Sequence, residues 1–333
     1  MTKRIETSSG EDALIARYFK PLATDPGAFG LVDDAAILRA NGEDIVVTTD
    51  AVVEGVHFLA RDPPDAVARK ALRVNLSDLA AKGATPAGFV LTLALHRAED
   101  AFLTAFARGL GEDARLFGCP LLGGDTVATP GPLTVSITAF GRVPEGRMVR
   151  RSGAKPGDRV MVTGTIGDAT LGLDILKGGA VAAALANDNA SRDYLIERYR
   201  VPRPRNALAL ALRDYASAAM DVSDGLAGDL AKFCAASGVS AVIDAPRVPT
   251  SDAAARLLAH GATSIADLVA GGDDYEILCT VTEAHCERLT DLARSAGVAL
   301  TSIGRIVAEP GVPRFLDAQG REVALPRLSY SHF

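Results

Sequence analysis

Thr48-Thr49-Asp50 sets two hydroxyls beside a carboxylate, directly after Asp44-Ile-Val-Val, a β-branched run of the kind that forms a buried strand. Oxygens of this type on rigid backbone suit a hard cation such as Mg²⁺, and the same tripeptide would also serve as a plain turn cap. Similar junctions recur. Asp33-Asp34, Asp125 in Gly123-Gly-Asp-Thr, Asp221 and Asp224 in Asp221-Val-Ser-Asp-Gly, and Asp273-Asp274 after Gly271-Gly272 all stand where an apolar run meets a turn. Asp78 stands inside an apolar helical pattern, with Asn75 and Ser77 close by, where polar groups are costly without partners. Any one of these aspartates is ordinarily a cap or turn residue. Gathered without cations they would repel and raise one another's pKa, so shared Mg²⁺ ions are the economical reading of the set.

Other chemistries have less support. There is no G-x-x-x-x-G-K-[ST], no kinase H-R-D or D-F-G set, no G-x-S-x-G and no H-E-x-x-H, and Gly164-Thr-Ile-Gly167 is too short a signal for a dinucleotide loop. His57 follows the Thr48–Asp50 turn and could touch a substrate phosphate or serve in packing. Arg147, Arg150, Arg151 and Lys155 could meet a polyphosphate, or form a solvated linker.

The elements that must position these residues alternate between strand and helix. The pattern predicts a helix over 11–20, strands at Ala35–Leu38 and up to Asp50 joined by an Asn41-Gly42 hairpin, and a helix from Asp65 to Lys82. A strand at Pro86–His96, a helix at Glu99–Phe117, a short strand at Pro120–Leu122 opening onto Gly123-Gly124, and a strand at Leu133–Val143 complete the first half. Turn-rich chain from Pro144 to Pro156 marks a boundary, giving domains 1–146 and 147–333. The second half predicts strands at Arg159–Thr163, Ala218–Val222, Ala241–Ile243, Tyr275–Val281 and Ala299–Val307. Helices fall at Asp168–Leu176, Arg205–Tyr215, Leu226–Ser237, Ala262–Val269 and Glu283–Ala296. The class is α/β in two halves.

The 333 residues suffice for two cores. A formal charge of −6, with no dense Lys/Arg run, argues against nucleic acid as a partner. Four unpaired-looking cysteines, no apolar leader and no apolar run long enough to span a bilayer fit a soluble cytoplasmic protein.

Seven blocks together resemble the thiamine-monophosphate kinase family: Asp33-Asp-Ala-Ala-Ile-Leu, Thr48-Thr-Asp-Ala-Val-Val-Glu-Gly-Val-His-Phe, Val74-Asn-Leu-Ser-Asp-Leu-Ala-Ala, Gly123-Gly-Asp-Thr, Arg151-Ser-Gly-Ala-Lys-Pro-Gly-Asp, Asp221-Val-Ser-Asp-Gly and Gly271-Gly-Asp-Asp-Tyr-Glu. They occur in the family order over nearly the whole chain. The resemblance implies an aminoimidazole-ribonucleotide-synthetase-like, two-domain α/β (α+β) fold. Its N-terminal domain would pair strands across a homodimer, and its C-terminal domain would be α/β. It also implies several Mg²⁺ ions on Asp34, Thr48, Thr49, Asp50, Asp78, Asp125, Asp221 and Asp224, with Asp50, Asp78, Asp125 and Asp221 catalytic. ATP would meet Gly124, Asp125, Arg151 and Ser223, and thiamine monophosphate would meet His57 and Asp273. Two positions depart from the family pattern: Val32 stands where Gly usually precedes the Asp pair, and Arg327 stands where an aromatic often faces the thiamine ring. Ring closure of the aminoimidazole-ribonucleotide-synthetase type, or a non-catalytic nucleotide- or metal-binding scaffold, are the alternative readings. A selenophosphate synthetase would need a reactive cysteine near the N-terminus, whereas the first here is Cys119.

Overall fold

The computed structural model describes residues 14–26, 40–325 and 328. These divide into two compact units. The first holds the described residues up to Asn75 and Pro86–Arg142, and the second holds Leu76–Thr85 and the described residues from Val143 onward. The stretch carrying Asp78 thus groups with the second half, although it precedes the boundary expected near residue 146. Asp33, Asp34, Val32, the Ala35–Leu38 strand and Arg327 lie outside the described residues.

The first unit is built on a four-stranded sheet of order β1-β4-β2-β3, where β1 is Glu43–Val53, β2 Thr85–Leu95, β3 Leu121–Ala128 and β4 Thr134–Pro144. Asn41 and Gly42, with φ of 50° and 81°, supply the left-handed pair of a tight turn into β1, closed by the Glu43 amide donating to the Ala40 carbonyl at 3.0 Å. β2 and β3 run parallel, which needs a long crossover, and helix α2 (Asp100–Leu116) provides it. Alternate residues of β4, among them Val135, Ile137 and Ala139, are buried, as the two-residue period of a strand with one covered face demands. Helix α1 (Pro64–Ala81) lays Arg69 and Arg73 on the fully buried Asp113 of α2. Arg69 Nη1 donates to Asp113 Oδ1 at 2.6 Å, and Arg73 donates through Nε to Oδ2 at 2.5 Å and through Nη2 to Oδ1 at 2.8 Å.

The second unit holds a six-stranded sheet of order β10-β7-β9-β5-β8-β6. Its strands are β5 (Arg159–Thr163), β6 (Ala216–Val222), β7 (Ser240–Asp244), β8 (Glu276–Val281), β9 (Leu300–Val307) and β10 (Arg314–Leu316). β10 runs parallel to β7 while β5, β6, β7, β8 and β9 pair antiparallel, so this sheet is mixed. Around this sheet run α3 (Asp168–Lys177), α4 (Asn189–Arg200), α5 (Ala209–Tyr215), α6 (Leu226–Ser237), α7 (Asp252–Ala259) and α8 (Glu283–Ser295). The strand period sorts the core. Val160, Val162, Ala218 and Met220 pack with Leu226, Leu230 and Phe233 of α6, whereas Met161, Ala219 and Ile277 pack with Leu212, Leu289 and Ala293, and with Ala80 and Ala81 at the end of α1.

Several elements differ from expectation. β1 does not stop at Asp50 but continues through Val52 and Val53, because the β-branched alternation persists until Glu54-Gly55, where Gly55 takes φ 82°. Gly123-Gly124-Asp125-Thr126 is strand, not turn: a Cβ on Gly124 would lie 2.0 Å from the Leu91 carbonyl oxygen, so glycine is what lets β3 pair closely with β2. In place of an α-helix near residue 15, Ile15–Phe19 is a π-helix followed by a 3₁₀ turn at Lys20–Leu22, with Pro21 inside it. Helices α4 and α7 were not expected. No helix among the described residues is long and apolar enough to cross a membrane.

Candidate active site

In the first unit the expected residues sit on strands and on the turn that leaves β1. Thr49 Oγ1 donates to the Ile137 carbonyl at 3.2 Å and accepts from Thr138 Oγ1 at 3.0 Å, so β4 fixes its rotamer. Asp50 is exposed on β1, and Asp125 and Gly124 are exposed on β3, where Asp125 pairs in register with Thr92. Two strands lie between β1 and β3 in the sheet order. At about 4.8 Å per strand, the two carboxylates are thus not neighbours within this sheet. His57 is held through Nδ1, which accepts from the Val53 amide at 3.1 Å, and this leaves Nε2 to carry the proton of the neutral ring. Its carbonyl accepts from the buried ammonium of Lys70 at 2.8 Å. Beside this turn lies a cavity of about 460 Å³, with Phe58, Val67, Leu95 and Leu133 among its apolar lining and Glu54 and Arg97 also facing it.

In the second unit the antiparallel register of β6 and β8, Asp221 opposite Ile277 and Val222 opposite Glu276, brings the loop after β6 against the loop before β8. The Asp273 amide donates to the Ser223 carbonyl and the Tyr275 amide to the Val222 carbonyl, each at 2.8 Å. Small residues make this possible, since a Cβ on Gly272 would meet the Ser223 oxygen at 2.6 Å. Asp273 and Tyr275 pay with left-handed backbone, φ 71° and 51°, the kind of strain that persists only where surrounding contacts enforce it.

Asp221 and Asp78 are brought together here. Asp221 is 7% exposed, and its Oδ2 accepts from Ser77 Oγ at 2.9 Å. Burial pushes its carboxyl well above the usual carboxylate range, the neighbouring Asp78 charge pushes it further, and the Ser77 hydrogen bond and the Lys82 charge pull it back. Two carboxylates so placed form an oxygen-only donor pair, which fits a hard divalent cation. Asp224 is engaged differently, since it receives the ammonium of Lys232, which also reaches Asp229 Oδ1 at 3.1 Å. Asp229 Oδ2 accepts from the amides of Ser223 and Asp224 at 3.0 and 2.9 Å, holding the loop. Arg151 is exposed, and the adjoining Arg150 carbonyl accepts from the Ala219 amide of β6 at 2.9 Å. Among the described residues, no three His, Cys, Asp or Glu side chains form a ready-made cage; Mg²⁺ ordinarily takes one or two carboxylates, with waters and phosphate oxygens completing the shell.

Behind the Asp273 loop lies a buried ionic network that the sequence reading missed. Glu276 accepts from Thr163 Oγ1 (2.7 Å), Arg198 Nη2 (2.9 Å) and Arg205 Nε (2.7 Å). The fully buried Asp274 accepts from the Gly167 amide at 2.7 Å at the start of α3, and burial pushes its carboxyl well above the ordinary range. Asp168 accepts from Ser251 Oγ (2.6 Å) and Tyr194 OH (2.8 Å). Lys82, Asp229 and Lys232 were likewise missed, whereas Ser77, expected to need a partner inside the helix, finds it in Asp221. The i to i+4 spacing of Asp78 and Lys82 on one helix face was the one sequence signal that could have found Lys82.

The family model for the N-terminal domain of AIR synthase related proteins matches residues 32–143, and that for the C-terminal domain matches residues 155–316. The chain is 46% identical over 324 residues to the thiamine-monophosphate kinase of Caulobacter vibrioides, covering 96% of this chain and 89% of that one. It is similar to the crystal structure of thiamine-monophosphate kinase from Stenotrophomonas maltophilia K279a, with 39% identity, 94% and 96% coverage and a TM-score of 0.82. It is also similar to AaThiL complexed with AMPPCP and TMP, with 29% identity, 92% and 97% coverage and a TM-score of 0.76.

Proposed function

The chain belongs to the thiamine-monophosphate kinase family, and from that premise we propose that it moves the γ-phosphoryl group of ATP onto the phosphate of thiamine monophosphate, yielding thiamine diphosphate and ADP. A phosphate acceptor is already largely ionised at neutral pH, with a second pKa of about 6, so no strong general base is needed and transfer is direct and in line. The obstacle is charge: two unit anions about 4 Å apart repel by about 4 kcal/mol at the effective dielectric of a protein surface. Mg²⁺ bound at the aspartates would supply the neutralising charge and the alignment.

The chain's own part is to hold oxygens where that charge is wanted. Asp78 and Asp221 do so in the second unit, and Thr48, Thr49, Asp50 and Asp125 in the first; Asp224 would exchange its Lys232 partner for a cation, and Asp34 completes the proposed set. Gly124, Asp125, Arg151 and Ser223 would face ATP, while His57 and Asp273 would face thiamine monophosphate. His57 is fixed for that by its Nδ1 acceptor bond and Asp273 by its bond to the Ser223 carbonyl. The working form would be a homodimer. The observation that carries the reading is the pairing of buried Asp221 with half-buried Asp78 in a chain of this family, since like charges held together are retained where a cation joins them.

Mass analysis of products from ATP, Mg²⁺ and thiamine monophosphate tests it. Thiamine diphosphate and ADP in equal amounts, with both lost in Asp50→Asn while the circular dichroism is unchanged, is the expected result. Nucleotide binding with no product would favour the scaffold, and turnover only with a formylglycinamidine ribonucleotide would favour ring closure.

A further inference from the structure

Lys82 stands one residue beyond α1 and one helical turn after Asp78, and its amide still donates to the Asp78 carbonyl at 3.0 Å. Gly83 then turns the chain with φ 69°, and a Cβ there would lie 2.8 Å from Arg213 Cβ, so the helix end is packed tightly against α5. The Lys82 side chain runs to β6, where Nζ donates to the Ala219 carbonyl at 2.9 Å. Ala219 and Asp221 are two residues apart on one strand, so their side chains share a face, the face against which Ala80 and Ala81 pack. The ammonium is therefore anchored on the strand that carries Asp221, two residues from it. Burial lowers its pKa, the charges of Asp221 and Asp78 raise it, and Arg151 lowers it further, which places all four groups within electrostatic reach of one another.

Resting on the proposed kinase reading, we infer that Lys82 is a tethered cation of the Asp78–Asp221 pair, offsetting one carboxylate charge before a divalent ion binds and leaving the loaded site more positive, which favours an incoming phosphate. The ammonium offsets one carboxylate charge of the ionised pair, so with a divalent cation bound the site is one unit more positive with Lys82 than with a neutral side chain at position 82. Lys82 therefore opposes the metal and assists the phosphate, and removing its charge moves the two affinities in opposite directions.

A purely structural lysine, tying the end of α1 to β6 through the Ala219 carbonyl, would not do this. Lys82→Gln keeps a donor without the charge, Lys82→Met removes both, and Lys82→Arg keeps the charge. Mg²⁺ binding to each protein is measured by calorimetry with neither nucleotide nor thiamine phosphate present, so it remains readable if the kinase assignment fails. AMPPCP binding is then measured at saturating Mg²⁺.

Lys82→Gln and Lys82→Met should bind Mg²⁺ about tenfold more tightly and AMPPCP about tenfold more weakly, with Lys82→Arg close to the parent in both. In EDTA the two neutral variants should melt lower than the parent and recover more of that loss on adding Mg²⁺. Unchanged Mg²⁺ affinity in Lys82→Gln, or a fall in both affinities together, would overturn the inference. Should Lys82→Met fail to fold, Lys82→Gln against Lys82→Arg decides.

Discussion

At the scale of single residues, the sequence exposed the acidic side chains and concealed their partners. Asp78 and Asp221 were legible as carboxylates in apolar surroundings, and the structure brings them together in the second unit. Ser77 was legible as a polar residue needing a partner but its partner was not, and Lys82 looks from the sequence like an ordinary helix end. Which polar side chain is buried depends on tertiary packing and not on local pattern. Asp274 is the clearest case: beside the exposed-looking Asp273 it is fully buried, accepting amides at the start of α3. Its carboxyl is raised, so the folded state holds this proton more tightly than the unfolded chain does. Its contribution to stability is therefore complete below the unfolded carboxylate pKa of about 3.9 and is lost as pH rises through the raised folded value. Asp274→Asn, which keeps an amide-accepting oxygen but cannot ionise, should flatten that slope. Urea midpoints of parent and variant should converge, or cross in favour of the variant, as pH rises; parallel pH profiles would remove Asp274 from this role.

At the scale of elements, periodicity located most strands and long helices but misplaced the two that carry the first unit's site residues. Glycine next to aspartate reads as a turn, yet in β3 the glycine serves close pairing with β2, a tertiary need that local propensity does not encode. The end of β1 was set too early for a related reason: Thr-Thr-Asp has turn composition, but the β-branched residues after it carry the strand on. Helices α4 and α7 did carry start signals, with Asp188 accepting from the Ser191 amide and Ser251 from the Ala254 amide. α4 matters because it delivers Arg198 to Glu276 at the head of β8. Glu276→Ala would leave Arg198 and Arg205 without their carboxylate in a buried setting, at a cost of about 3–5 kcal/mol in chemical denaturation. A loss below about 1 kcal/mol would mean that the network is incidental to the strained loop it borders.

For the whole molecule, the order of seven short blocks along the chain carried more information than any one of them, and the two family models spanning 32–143 and 155–316 agree with that order. Composition narrowed the partners, since a chain of formal charge −6 handling phosphates calls for cations. What composition could not supply was the grouping of Leu76–Thr85 with the second unit, because helix α1 is continuous in sequence and its final turn is claimed by packing against Val149, Leu208 and Leu212. The central claim is that the γ-phosphoryl group of ATP is transferred intact to the phosphate of thiamine monophosphate. Turnover of thiamine monophosphate with ATP bearing ¹⁸O at all four γ-phosphoryl oxygens, followed by mass analysis of both products, tests it most directly. The account predicts thiamine diphosphate whose terminal phosphoryl group carries three labelled oxygens, with the fourth label in ADP; unlabelled thiamine diphosphate, or label released as free phosphate with thiamine monophosphate untouched, would contradict it.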